Sequence, residues 1–269
     1  MAESPEKTVM LDIDNVVKRF GGVAAVGGFR MKVREATVHG LIGPNGAGKT
    51  TLINLITGLF HADEGTIRFA GRDLQKMAPQ DIAALGITRT YQNVRLFSGM
   101  SVLEQVMTGC FLEKKSGMFA SFLGLPSARA DWRRIRDHSM ELLRRVRMDH
   151  RADELAETLS YGEQRRIEIA RALGSNPKLI LLDEPTAGMN QAEASEIGRL
   201  THELRDAGLT ILMVEHNMGL VTEFCEACTV MNFGQLLADG DPRTCIANPD
   251  VQEAYFGRKN DATRIQALR

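Results

Sequence analysis

Residues 43–50 read GPNGAGKT, directly after the apolar run ATVHGLI, and their last two open the helix-forming run KTTLINLITGL. A strand that runs into a glycine-rich turn and then straight into a helix leaves few folds open. The spacing G-x-x-x-x-G-K-T in that context is a phosphate-binding loop. Gly43, Gly46 and Gly48 let the backbone of Pro44, Asn45 and Ala47 wrap close to an anion. The helix start supplies free N–H groups and the positive end of its dipole. Lys49 adds a point charge suited to β/γ-phosphates, and the Thr50 hydroxyl suits Mg²⁺, with Thr51 beside it in the first helical turn.

The rest of the chain fits an α/β fold around such a loop. VMLDIDNVV, GGFRMKV, GTIRFAG and GITRTYQ read as strands. From about residue 101 to 171 the strand signal vanishes, and SVLEQVMTGCFL, WRRIRDHSMELLRRVRM and GEQRRIEIARAL read as helices. KLILLDE, a helix over 191–206, LTILMVEH, a helix over 217–225, EACTVMNFG and QLLADG then resume the alternation. Fully apolar strands such as LILLD predict a largely parallel sheet covered on both faces. The expected architecture is a P-loop core over about 9–98 and 172–245, with an antiparallel β part and an inserted all-helical subdomain over about 99–171. Residues 112–130, rich in Gly, Ser and Ala, read as an insertion or loop. A tail over 258–269, basic, has disorder as its default reading.

The chain has 269 residues, 43% hydrophobic and 25% charged, with a formal net charge of −1, so there is no electrostatic case for nucleic acid. Four scattered cysteines make no disulfide framework. The pair in CEAC, placed by its surroundings in a helix, lacks a second pair or nearby histidines for zinc, so buried thiols are expected. The polar start MAESPEKT has no apolar h-region, and no apolar run approaches the ~18 residues of a membrane span. A cytoplasmic protein is the default.

LILLDEP supplies a second half for the phosphate site. Asp183 ends an apolar strand, where a carboxylate is costly unless a cation meets it. Strand alternation sends Asp183 and Glu184 to opposite faces. Asp183 suits the Mg²⁺ shell, and Glu184 suits a water facing the γ-phosphate, as base or positioner. In LSYGEQRR, Ser160 and Glu163 have capping-box spacing. A box needs no glycine, so either Gly162 is incidental or something large comes within touching distance of the backbone there.

GPNGAGKT, LSYGEQ, LILLDEP and LMVEH stand in the order found in ATP-binding cassette (ABC) ATPases, which the chain resembles over about residues 9–257. Several implications follow from that resemblance. The LSYGE turn, with Ser160, Gly162 and Glu163, meets the γ-phosphate of an ATP held by an opposing subunit; Tyr161 and Glu163 depart from the family's Leu-Ser-Gly-Gly-Gln. Phe20 stands where an aromatic stacks on adenine, the alternative being a core aromatic. Gln92 matches a glutamine that senses the metal and the attacking water, and His216 a switch histidine on the γ-phosphate. Asn190 stands where the family usually has Asp, and caps the helix that follows equally well.

TRTYQNVRLFSGMSVLEQV, EPTAGMN and the ending VQEAYFG resemble, more finely, the ATP-binding subunits of branched-chain (hydrophobic) amino-acid uptake systems, with urea or amide uptake as the alternative. This implies ATP and Mg²⁺ as ligands and a second ATPase subunit, expected to differ in sequence, with a homodimer as the other option. It also implies a transmembrane permease, an indirect periplasmic substrate-binding protein, and a place on the inner face of the plasma membrane. A groove for a permease helix is expected from Val94, Leu96, Phe97, Met100 and Val102. Two competing readings fit less well. Soluble ABC proteins usually carry two cassettes or a coiled coil, and a P-loop kinase or GTPase leaves LSYGEQ and His216 unexplained.

Overall fold

The structure is a computed structural model and describes residues 8–110 and 126–256. Among these residues β1 (Val9–Phe20), β2 (Val23–Arg34), β4 (Glu64–Phe69) and β5 (Arg72–Asp73) form an antiparallel sheet in the order β2-β1-β4-β5. A second sheet has the order β10-β9-β3-β8-β7-β6, built from β3 (Val38–Ile42), β6 (Ile87–Arg89), β7 (Leu179–Asp183), β8 (Thr210–Glu215), β9 (Ala227–Asn232) and β10 (Gln235–Gly240). All pairs within it are parallel except β9 with β10. Strands β3, β7 and β8 are buried along their whole length, as continuous apolar runs require of a sheet covered on both faces.

Side-chain alternation along these strands separates two cores. On one face Leu41, Leu179, Leu181, Leu212 and Val214 pack with Leu52, Ile53 and Ile56 of α1 (Lys49–Ile56) and with the antiparallel sheet. On the other, Val38, Ile42, Ile180, Leu182 and Ile211 join a cluster that extends into the helical segment. That segment comprises α3 (Val102–Gly109), α4 (Pro126–Arg145) and α5 (Tyr161–Leu173), which bury Val106, Leu142, Leu143, Ile167 and Ile169 among others.

Capping boxes fix the starts of α3, α5 and of α6 (Gln191–Asp206), through Ser101 with Glu104, Ser160 with Glu163 and Asn190 with Glu193. The last two were legible as sequence spacings. Three short helices were not: α2 (Pro79–Leu85), α8 (Pro242–Ala247) and α9 (Pro249–Phe256). Each opens on a proline in its first turn, and Asp241 caps the second of them.

Two expectations need correction. Residues 126–130, read as part of a loop, open α4, while 111–125 and the tail lie outside the described residues. CEAC is not within a helix. Cys225 ends α7 (Met218–Phe224) and Cys228 belongs to β9. Glu226 between them forces the change, because its N–H donates to Val38 O at 2.9 Å and its carboxylate accepts from Val38 N at 2.7 Å, docking the chain beside β3. All four thiols are buried.

Candidate functional site

Parallel strands bring their carboxyl ends to one edge, where α/β sheets bind ligands. Here that edge gathers the loop after β3, residues 183–184 after β7, His216 after β8 and Gln92 beyond β6. The loop's shape depends on neighbours from both sheets. Gly48, the N-cap of α1, has φ 106°, and a Cβ there would sit 2.5 Å from Ala25 O. A Cβ on Gly43 would lie 2.1 Å from Met231 O. Gly234 N donates to Ala47 O at 2.7 Å, and Gly27 N donates to Gly234 O at 2.8 Å. The Lys49 ammonium donates to Gly43 O at 2.5 Å and to Pro44 O at 3.1 Å. Burial holds its pKa below the ordinary lysine value, against the opposing pull of Glu184 and Asp183.

A cavity of about 460 Å³ opens over the loop, lined by residues 45–51, Gln92, Asp183 and Glu184, with Val23, Ala24, Ala25, Val214 and Phe233 at its walls. Asp183 and Glu184 therefore share one cavity, contrary to the strand-alternation expectation. The reason is local: β7 ends at Asp183, and Glu184 has φ 46°, a left-handed backbone that turns its side chain back to the same edge. Such a conformation in a non-glycine residue costs on the order of 1–3 kcal/mol and is held only by its surroundings, here including the bond from Glu184 N to Val214 O at 2.9 Å. The Glu184 carboxylate accepts from the Gln92 side-chain amide at 2.8 Å and lies 3.9 Å from His216 Nδ1.

Asp183 does meet a cation, one that sequence reasoning missed. Arg89 donates to Asp183 Oδ2 at 2.7 Å and, with its other nitrogen, to Asn54 Oδ1 at 2.7 Å. Arg89 stands at the end of β6, beside β7 in register, so strand pairing carries the signal and sequence spacing does not. Phe233 was also missed; with Gly234 it forms the two-residue β9–β10 turn, both at positive φ.

Other predicted residues stand apart from the cavity. Phe20 is exposed at the end of β1, its ring edge-on to Phe60 at 5.2 Å, while the cavity wall runs through the neighbouring 23–25 segment. Ser160, Gly162 and Glu163 lie on the helical segment. Ser160 N donates to Glu163 Oε2 at 3.0 Å. Burial raises the Glu163 pKa, but the Ser160 hydrogen bonds together with Arg151 and Arg166 outweigh it and hold the carboxyl below its usual value. A Cβ on Gly162 would meet only the Glu193 side chain, at an ordinary 3.6 Å. Among the described residues, the nearest neighbours of such a Cβ would not demand glycine there.

Near the expected groove there is a cleft, but only two of the five expected residues, Leu96 and Phe97, line it. A cleft of about 670 Å³ between core and helical segment is walled by Tyr91, Arg95, Leu96, Phe97, Glu168 and Arg171 among others. Val94 and Met100 are not part of that wall, and Val102 is fully buried in the core, because the α3 cap turns it inward.

The donor set suits a hard cation, since Thr50, Asp183 and Gln92 bring hydroxyl, carboxylate and amide oxygens to one wall beside the phosphate loop.

Residues 26–187 match the family model described as ABC transporter. The chain is 40% identical over 249 residues to the high-affinity branched-chain amino acid transport ATP-binding protein LivG of Salmonella typhimurium, covering 92% of this chain and 98% of the relative. It is 39% identical, with the same coverage, to the corresponding protein BraF of Pseudomonas aeruginosa. Its fold superposes with a TM-score of 0.82 and 33% identity on the crystal structure of the ADP conformation of MJ1267, an ATP-binding cassette of an ABC transporter, covering 93% of this chain and 100% of that one. With a phosphate loop, a strand-end Asp-Glu pair and an LSYGE helix assembled on this fold, the chain belongs to the ABC transporter family, as one of its ATP-binding, ATP-hydrolysing subunits.

Proposed function

We propose that this chain is the motor subunit of an importer for branched-chain or other hydrophobic amino acids, working on the cytoplasmic face of the plasma membrane. The observation that carries the ATPase mechanism is the Gln92–Glu184 contact of 2.8 Å over the phosphate loop. The loop amides and Lys49 hold the phosphates, and Lys49 exchanges its carbonyl partners for phosphate oxygens. Thr50, Asp183 and Gln92 are the residues that would hold Mg²⁺, whose charge offsets that of the phosphates. Glu184 takes the proton of the attacking water, while Gln92 and His216, both facing its Oε2, fix its direction. Phe20 offers an exposed ring for the adenine.

The LSYGE turn serves an opposing subunit. Ser160, Gly162 and the start of α5 present amides and a dipole to that subunit's ATP, and a glycine that its described neighbours do not require supports this assignment. The preferred partner is a second, different ATPase subunit, joined to a permease and, through it, to a periplasmic binding protein. Alone, the chain is expected to be mostly monomeric without nucleotide. It should hydrolyse ATP slowly, with a more-than-linear dependence on protein concentration. Ser160→Arg should leave its own nucleotide affinity within about twofold while impairing the site on the partner's loop by about tenfold or more. Sedimentation and an ATPase titration against the partner test this, and a fully active nucleotide-free homodimer would overturn the heterodimer assignment.

The cleft walled by Leu96 and Phe97 is the proposed seat of a permease helix. Phe97 is exposed, yet its backbone is clamped, its N–H donating to Gln105 Oε1 at 3.1 Å and its carbonyl accepting from Gln105 Nε2 at 2.6 Å. Phe97→Glu should therefore spare folding and basal ATPase activity but cut uptake by about tenfold. Intact uptake in the reconstituted transporter would remove the cleft from consideration.

A further inference from the structure

Arg165 is the largest fully buried side chain among the described residues, and its contacts do not serve its own helix alone. Nη1 donates to Tyr91 O at 2.6 Å and to Glu168 Oε2 at 2.6 Å, and Nη2 donates to Gln92 O at 2.6 Å. The Tyr161 hydroxyl accepts from Nη2 at 3.1 Å and donates to Gln92 O at 3.4 Å. Glu168 adds a third hold, accepting from Tyr91 N at 3.3 Å. The backbone on both sides of the Tyr91–Gln92 peptide is therefore gripped by one face of α5.

A buried ion pair is a weak source of stability, since apolar side chains of similar volume do as well or better. A guanidinium instead supplies direction: its planar fork fixes two carbonyls relative to the helix that bears it. The residue so fixed is Gln92, whose amide reaches Glu184 at 2.8 Å. Tyr161 lies inside the LSYGE turn, next to Ser160. A continuous path of hydrogen bonds thus runs from that turn, through Tyr161 and Arg165, to Gln92 and on to Glu184.

We propose that Tyr161 and Arg165 are positioning residues, which hold Gln92 so that its amide stays on Glu184. They tie the turn presented to a partner's ATP to the acid of this chain's own site. This rests on the roles proposed above for Gln92 and Glu184, and it assigns a task to the Tyr that stands in place of the family's glycine.

The test uses the full-length chain with steady-state ATPase kinetics and nucleotide-binding titrations. Arg165→Gln alone would strand a buried carboxylate, so it is combined with Glu168→Gln; Tyr161→Phe is the conservative second variant. The double variant should lower kcat about tenfold and Tyr161→Phe about threefold to fivefold, both with unchanged nucleotide Kd. In a Gln92→Ala background neither should lower kcat further, because the path through Gln92 is already cut. Equal losses in both backgrounds would mark a merely structural role and overturn the proposal, as would unchanged kcat in Tyr161→Phe together with the double variant. If Gln92→Ala by itself leaves kcat intact, the role of Gln92 falls first and this inference with it.

Discussion

Glu184→Gln is expected to reduce turnover by about 10²–10⁴-fold while ATP still binds, an effect in the range of losing a positioned general base. The amide keeps the size and the left-handed backbone of the original residue. Loss of the carboxylate removes the group assigned to accept the proton from water. The Gln92 contact changes as well, since the Gln92 amide at 2.8 Å then faces an acceptor without charge. Single-turnover hydrolysis with a parallel binding titration separates chemistry from affinity. Turnover within a few-fold of the unsubstituted chain would mean that the proton leaves by another route.

Lys49→Ala should act on the other quantity. Its ammonium, held between the Gly43 and Pro44 carbonyls, is the one cation that the loop itself contributes to phosphate. A buried charge-assisted contact of this kind is worth roughly 1.5–3 kcal/mol, or about 10–150-fold in nucleotide affinity. The cost of the change to the fold should be small, because burial already disfavours the charged form. Equilibrium binding checks it. Unaltered affinity would exclude direct contact between this ammonium and the phosphates.

The phosphate loop, both halves of the strand-end pair and the two capping boxes were legible in the sequence because each is a local pattern. Chemistry and backbone geometry lie within a few consecutive residues. Arg89 was not legible, since its partner Asp183 is reached across a strand pair. Arg165 was hidden for the same reason. It sits in a helix where arginines alternate with apolar residues, and only tertiary packing reveals that this one is fully buried. The shared cavity of Asp183 and Glu184 was missed because period-two alternation ends with the strand, and a single left-handed residue resets the direction. The departures at Tyr161 and Asn190 illustrate two outcomes. Asn190 caps α6 as its spacing foretold, whereas Tyr161 acquired contacts on a segment distant in sequence.

The turn at Phe233 and Gly234 has a consequence for the order in which the protein can be completed during synthesis. Gly234 receives Gly27 and donates to Ala47, so the phosphate loop is fastened by a residue made well after the loop itself. Contacts between remote segments come late in folding, after the loop-closure entropy has been met. A nascent chain that has emerged only through β8 carries every residue of the phosphate motif, yet lacks the hairpin that fastens it. The motif and its fastening are therefore synthesised at different times, the loop first and the hairpin that holds Ala47 O only with β9 and β10.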